Sequence, residues 1–151
     1  MKRLFFVLIF LTGCSTTYMQ EGINIADVGS YVTIYTETTE PKYVPGNELY
    51  FAVLFTSIDG KSLRTFGWDE EFHEVLHIQP GSHEFEVTYK YATSMTGWLY
   101  ANGCLSINAK QGENYIVRTK AGNNKVRFWL ENLETGEITG SACEESDGQA
   151  Q

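Results

Sequence analysis

Positive charge is scarce in this chain. Eleven Lys and Arg stand against nineteen Asp and Glu across 151 residues, for a net charge of −8. Phosphate backbones are gripped by clustered cations, so this composition argues against nucleic acid and against an electrostatic hold on anionic lipid. Phosphate loops, dinucleotide fingerprints and G-x-S-x-G elbows are also missing, and with them the usual sequence signs of nucleotide, nicotinamide and serine-hydrolase chemistry. No internal repeat is present. The apolar run Leu4–Leu11 has only eight residues. As a helix it rises about 12 Å, against a hydrocarbon core of roughly 30 Å, so it is too short for a permanent span. Cysteine is limited to Cys14, Cys104 and Cys143.

What is present begins at the N-terminus. Met1-Lys2-Arg3 is basic, Leu4–Leu11 is apolar, and small residues follow. That order marks an export signal. Leu11-Thr12-Gly13-Cys14 then resembles the lipobox of bacterial lipoproteins, in which the Cys thiol receives diacylglycerol and the bond before it is cut. The resemblance implies a signal peptide at 1–13 and a mature chain that starts at lipid-bearing Cys14. Ser15, in place of Asp, implies sorting to the periplasmic face of the outer membrane. Removing residues 1–13 leaves 138 residues with nine cations against nineteen acids, a net charge of −10. The membrane partner is then met through acyl chains rather than surface charge.

The rest of the chain has a period of two. Ser15–Ser30 is mixed and polar, and together with Cys14 is expected to form a lipidated tether over 14–30. A domain is expected over 31–143, with a polar, disordered tail at 144–151. Tyr31–Thr36 is β-branched and aromatic; Glu48–Phe55 is apolar enough for a strand buried on both faces. Asp59-Gly60 is a hairpin signal, with Ser62–Phe66 as the return strand. From His83 to Tyr91 the alternation is clearest: Phe85, Val87, Tyr89 and Tyr91 share one face, Glu84, Glu86, Thr88 and Lys90 the other. Trp98–Asn108, Tyr115–Thr119, Val126–Glu131 and Ile138–Thr139 follow, with an irregularity expected at Gly103-Cys104. Seven or eight short strands predict one all-β, antiparallel sandwich of the immunoglobulin or transthyretin type. In an oxidising compartment the two remaining thiols, Cys104 and Cys143, are expected to pair.

Several positions between Val53 and Thr139 also resemble the small PEGA-like β-sandwich lipoproteins of Gram-negative bacteria. They are Ile58-Asp59-Gly60-Lys61, Ile78-Gln79-Pro80-Gly81-Ser82-His83 leading into Phe85-x-Val87-x-Tyr89, and Leu105-x-Ile107-x-Ala109. Gly112-x-x-Tyr115-x-Val117 and Phe128-Trp129-Leu130 before Thr135-Gly136 complete the set. These are turn and core positions. The resemblance implies a fold and no shared catalytic residue.

One motif suggests chemistry. His73-Glu74-Val75-Leu76-His77 fits H-E-x-x-H, and His83 lies six residues on. The metzincin proteases resemble this, with three His on zinc and a Glu as general base. On that alternative His73, His77 and His83 hold the metal, Glu74 activates water, and Met95 stands in for the Met-turn. The motif works only on a helix, where one turn brings i and i+4 together. On a strand those Cα atoms lie roughly 13 Å apart, beyond the reach of two Zn–N bonds. Pro80-Gly81 favours a turn joining two strands, with Ile78 opposite His83, Leu76 opposite Phe85 and His77 opposite Glu84. Pro80 also stands where the protease glycine belongs. The expectation is therefore a non-enzymatic envelope module with no cofactor, and a zinc hydrolase as the rival. The conformation of residues 70–78 decides between them.

Overall fold

The computed structural model describes residues 17–37, 42–44, 47–63, 73–93, 97–122 and 125–143. Residues 1–13, Cys14, Met95 and residues 144–151 lie outside them. The strands are β1 (Thr17–Met19), β2 (Val32–Thr36), β3 (Lys42–Val44), β4 (Asn47–Ile58), β5 (Lys61–Ser62) and β6 (Val75–Ile78). There follow β7 (Gly81–Thr93), β8 (Gly97–Ala109), β9 (Asn114–Gly122), β10 (Lys125–Asn132), β11 (Ile138–Thr139) and β12 (Ser141–Ala142). They form two packed sheets. One has the order β1-β6-β2-β9-β10-β11, the other β12-β8-β7-β4-β3, with β5 paired to β4.

Alternating side chains put one face of each sheet into a shared core. On β7, Phe85 and Val87 are buried while Glu84 and Glu86 are exposed, as the period of two requires. Val32 and Ile34 on β2, Leu76 and Ile78 on β6, and Tyr115 and Val117 on β9 meet them from the opposite sheet. Val53, Leu54, Phe55 and Thr56 are buried in succession, so this part of β4 is covered on both sides. The Asp59-Gly60 hairpin forms as expected. Asp59 and Gly60 have φ of 48° and 74°, the left-handed pair that a two-residue turn between right-twisted strands needs.

Four features differ from the sequence reading. The first is the boundary expected at residue 31: Thr17–Met19 already belongs to a sheet, paired with Val75–His77. Second, not every pairing is antiparallel, because β1 with β6 and β2 with β9 run parallel. Third, β8 pairs with β7 in unbroken register through Gly103 and Cys104, so the irregularity expected there does not form. Gly103 is needed because the Phe128 ring from the opposite sheet rests on it; a Cβ there would lie 2.5 Å from the ring.

The fourth concerns Pro80-Gly81. Instead of a hairpin, the chain turns a corner between sheets. β6 pairs with β1 and β2, whereas β7 pairs with β4 and β8. Gly81, with φ of 138° and three residues past the end of β6, allows the change of direction. Leu76 and Ile78 therefore meet Phe85 and Val87 across the core rather than beside them in a ladder. His77 lies opposite Thr33 and Met19, and Glu84 opposite Ser106, so the expected His77–Glu84 pair is not made.

The far side of the sandwich is closed by a second crossing. β11 leaves β10 in one sheet, Gly140 turns with φ of 72°, and β12 joins β8 in the other. A Cβ on Gly140 would lie 2.5 Å from the Ser106 carbonyl oxygen, so the approach admits only glycine. Beyond β12 the Cys143 N–H donates to the Cys104 carbonyl oxygen, and the two side chains form a disulfide with Cα atoms 5.3 Å apart. The expected bridge is present.

Candidate functional site

The H-E-x-x-H segment is extended where the motif requires a helix. Val75–Ile78 is strand, Glu74 sits in a bend, and His73 makes an isolated antiparallel bridge to Phe55. The Phe55 N–H donates to the His73 carbonyl oxygen at 2.9 Å, tying β4 to the chain entering β6 in the other sheet. In an extended chain the two His cannot converge on one ion.

Each candidate residue has its own surroundings. The His73 ring lies edge-on to Tyr18, with centroids 5.9 Å apart, and its Nδ1 has no hydrogen-bond partner among the described residues. The Glu74 carbonyl oxygen accepts from the Thr36 N–H at 2.9 Å and from its hydroxyl at 3.3 Å. His77 points away from the core: Leu76 and Ile78 take the inward positions, and its Nδ1 lies 3.1 Å from the Thr33 hydroxyl with Tyr31 against the ring. His83, the third residue of β7, lies on the core-facing side and is buried. Its Nδ1 is 2.7 Å from Asp59 Oδ2, and its Nε2 is 2.8 Å from the Gln79 carbonyl oxygen. No group of three or more metal-binding side chains is found among the described residues.

Desolvation lowers the pKa of His77 from its ordinary 6.5. The fold thus favours the neutral ring. As pH falls below 6.5 the unfolded chain takes up this proton first, so the stability present above 6.5 is lost as pH falls through the lower folded value. Urea denaturation across that interval is expected to show stability falling with acidification, and His77→Gln should flatten that part of the profile. An unchanged slope in the variant would assign the effect elsewhere.

Asp59 and His83, brought together from 24 residues apart, were not legible as a pair. The available signal was phase: His83 shares the face of Phe85 and Val87, so a buried imidazole there had to find partners. The Asp59 carboxylate also accepts from the Glu84 N–H at 3.0 Å. A groove of about 690 Å³ runs past this pair and past Ser82, Ser106 and Ser141. An Asp, a His and several Ser around one groove resemble the parts of a hydrolase triad, but the bonding is wrong for it. A triad needs a free Nε2 to take the serine proton. Here Nε2 is held by a backbone carbonyl, and the Ser106 hydroxyl is bonded to that of Ser141 at 2.8 Å. Asp59 and His83 instead fasten the β4–β5 turn to the corner that feeds β7. A second groove, of about 660 Å³, lies on the other side of Gly140, between Phe128, Leu130 and Ile138.

No family model, curated protein or solved structure matches the chain.

Proposed function

We propose that this protein is a bacterial lipoprotein, anchored through Cys14 at the periplasmic face of the outer membrane. There it serves as a binding or accessory module rather than an enzyme. The carrying observation is Leu11-Thr12-Gly13-Cys14 placed where an eight-residue apolar run ends. The Cys104–Cys143 disulfide supports it, because such bridges persist in exported proteins and are rare where thiols are kept reduced. The resemblance to PEGA-like lipoproteins points the same way. Two or more acyl chains hold a protein stably, at about 0.8 kcal/mol per buried methylene. The two grooves flanking Gly140 are the places where a partner has room to engage.

Metabolic labelling with a clickable fatty acid is expected to tag the wild-type chain and leave Cys14→Ala unlabelled. Equal labelling of the two would refute the anchor. With the anchor established, recovery of the acylated chain from native membranes identifies its neighbours.

A further inference from the structure

Only Ser15 and Thr16 separate Cys14 from the first strand of the fold. From Cys14 to Thr17 the backbone reaches at most about 11 Å, even fully extended. A sandwich held on so short a lead cannot turn its N-terminal flank away from the bilayer that holds the acyl chains.

That flank is unusually apolar. Of the seven exposed large hydrophobic residues among those described, three fall within Thr17–Val28: Met19 at 40%, Ile25 at 56% and Val28 at 84% exposure. Ile25 and Val28 sit in a built loop. Gln79 at the end of β6 donates its N–H to Gln20 Oε1 at 2.8 Å and its side-chain amide to the Glu21 carbonyl oxygen at 3.2 Å. Within the loop the Ala26 N–H donates to Asn24 Oδ1, and the Ser30 hydroxyl to the Asp27 carbonyl oxygen. The loop therefore holds its apolar side chains outward in a fixed shape. β1 is also an edge strand, with β6 on one side and no further strand among those described on the other. Such an edge invites strand addition unless something covers it. Lys61 Nζ stands 5.7 Å from the Tyr18 ring centroid, placing an ammonium beside this edge.

We propose that β1, the 20–30 loop and Lys61 form a membrane-contact surface, with Met19, Ile25 and Val28 seated in the headgroup layer of the bilayer that carries the anchor. The inference rests on acylation of Cys14. Glu21 and Asp27 lie in the same loop, so the contact is apolar in character and should be little affected by added salt.

The test uses the full acylated chain in vesicles of phosphatidylethanolamine and phosphatidylglycerol, with a fraction of the phosphatidylethanolamine carrying a photoreactive headgroup. Intact mass is read first, and after irradiation adducts are mapped by peptide. Adducts are expected to concentrate in residues 20–30 and at Lys61. The double change Ile25→Glu and Val28→Glu should lower their yield several-fold while the thermal unfolding midpoint stays in place. An acylated chain with adducts spread evenly, or gathered instead around Tyr100 or Ile138, would overturn the contact surface and leave the lipoprotein reading standing. A mature chain without diacylglycerol would overturn both.

Discussion

Replacing Cys143 with Ser is expected to lower the unfolding free energy by about 4 kcal/mol. In the chain-entropy account, closing a loop of about 40 residues removes that much freedom from the unfolded state; the bridge here joins positions 39 apart. The native state adds a reason of its own. β12 is two exposed residues at the edge of its sheet, paired only to Ser106 and Leu105. So short a ladder cannot hold the Gly140 crossing shut, and behind that crossing lie the fully buried Leu130 and nearly buried Leu105. Against a total stability of about 5–15 kcal/mol, the loss is large. Urea denaturation should place wild type under reductant alongside Cys143→Ser without it. Equal stability of oxidised and reduced wild type would show that the bridge carries no load. Complete alkylation of the purified protein without reductant would show that it does not form.

The strands were legible because they rest on information local to the sequence, and the disulfide because composition leaves a single pairing. A period of two from His83 onward and a left-handed turn at Asp59-Gly60 are each visible within a few residues, and the bridge needed only a count, since Cys104 and Cys143 are the two cysteines left once Cys14 is set aside. Pairing between distant segments leaves no such trace. β1 joins β6 and β2 joins β9 in parallel, and parallel neighbours are linked by long connections with no turn signal of their own. Thr17–Met19 is three residues long, too short to show a period, so the segment read as a tether. Pro80-Gly81 misled for a related reason. Proline and glycine mark a change of direction, but whether the chain returns beside itself or crosses to another sheet depends on what else is there to pair with. β2 and β8 were available, and the two apolar faces met across the core.

The H-E-x-x-H segment was legible in the respect that matters for chemistry. Its strand conformation could be argued from the turn and the alternation that follow it, although the hairpin partner could not. What its residues do instead was hidden. His83 serves a corner through Asp59 and Gln79, and His77 packs on Thr33 and Tyr31 at the outer face.

The other large effect is expected from a core position on the strand that leaves that corner. Phe85→Ala should destabilise the domain by about 3–5 kcal/mol, the range for a buried Phe whose site cannot collapse. The ring is 1% exposed and packs edge-to-face on Phe55, with centroids 5.5 Å apart and planes at 73°. The β4–β7 ladder shifts register between Phe55 and Ser57, so Phe85 lies opposite Ile58, but on its other side β7 is held to β8 without a break, with Phe85 opposite Leu105, and the backbone there has little freedom to close the cavity. Leu76, fully buried in the opposing sheet, faces the same core, and Leu76→Ala should cost about 2–5 kcal/mol. Their sequence neighbours provide the contrast. Glu84 and Glu86 are exposed on the outer face of β7, and Gln at either position should change stability by no more than about 0.5 kcal/mol. Chemical denaturation of this set reads the parity of each strand directly. If Glu86→Gln proved as damaging as Phe85→Ala, the face assignment of β7 would be wrong. If Glu74→Gln left the fold intact while abolishing a zinc-dependent activity, the extended H-E-x-x-H segment would need another explanation. The burial of Leu76 between two outward-facing neighbours predicts instead that the apolar residue of that motif is the one whose loss is felt.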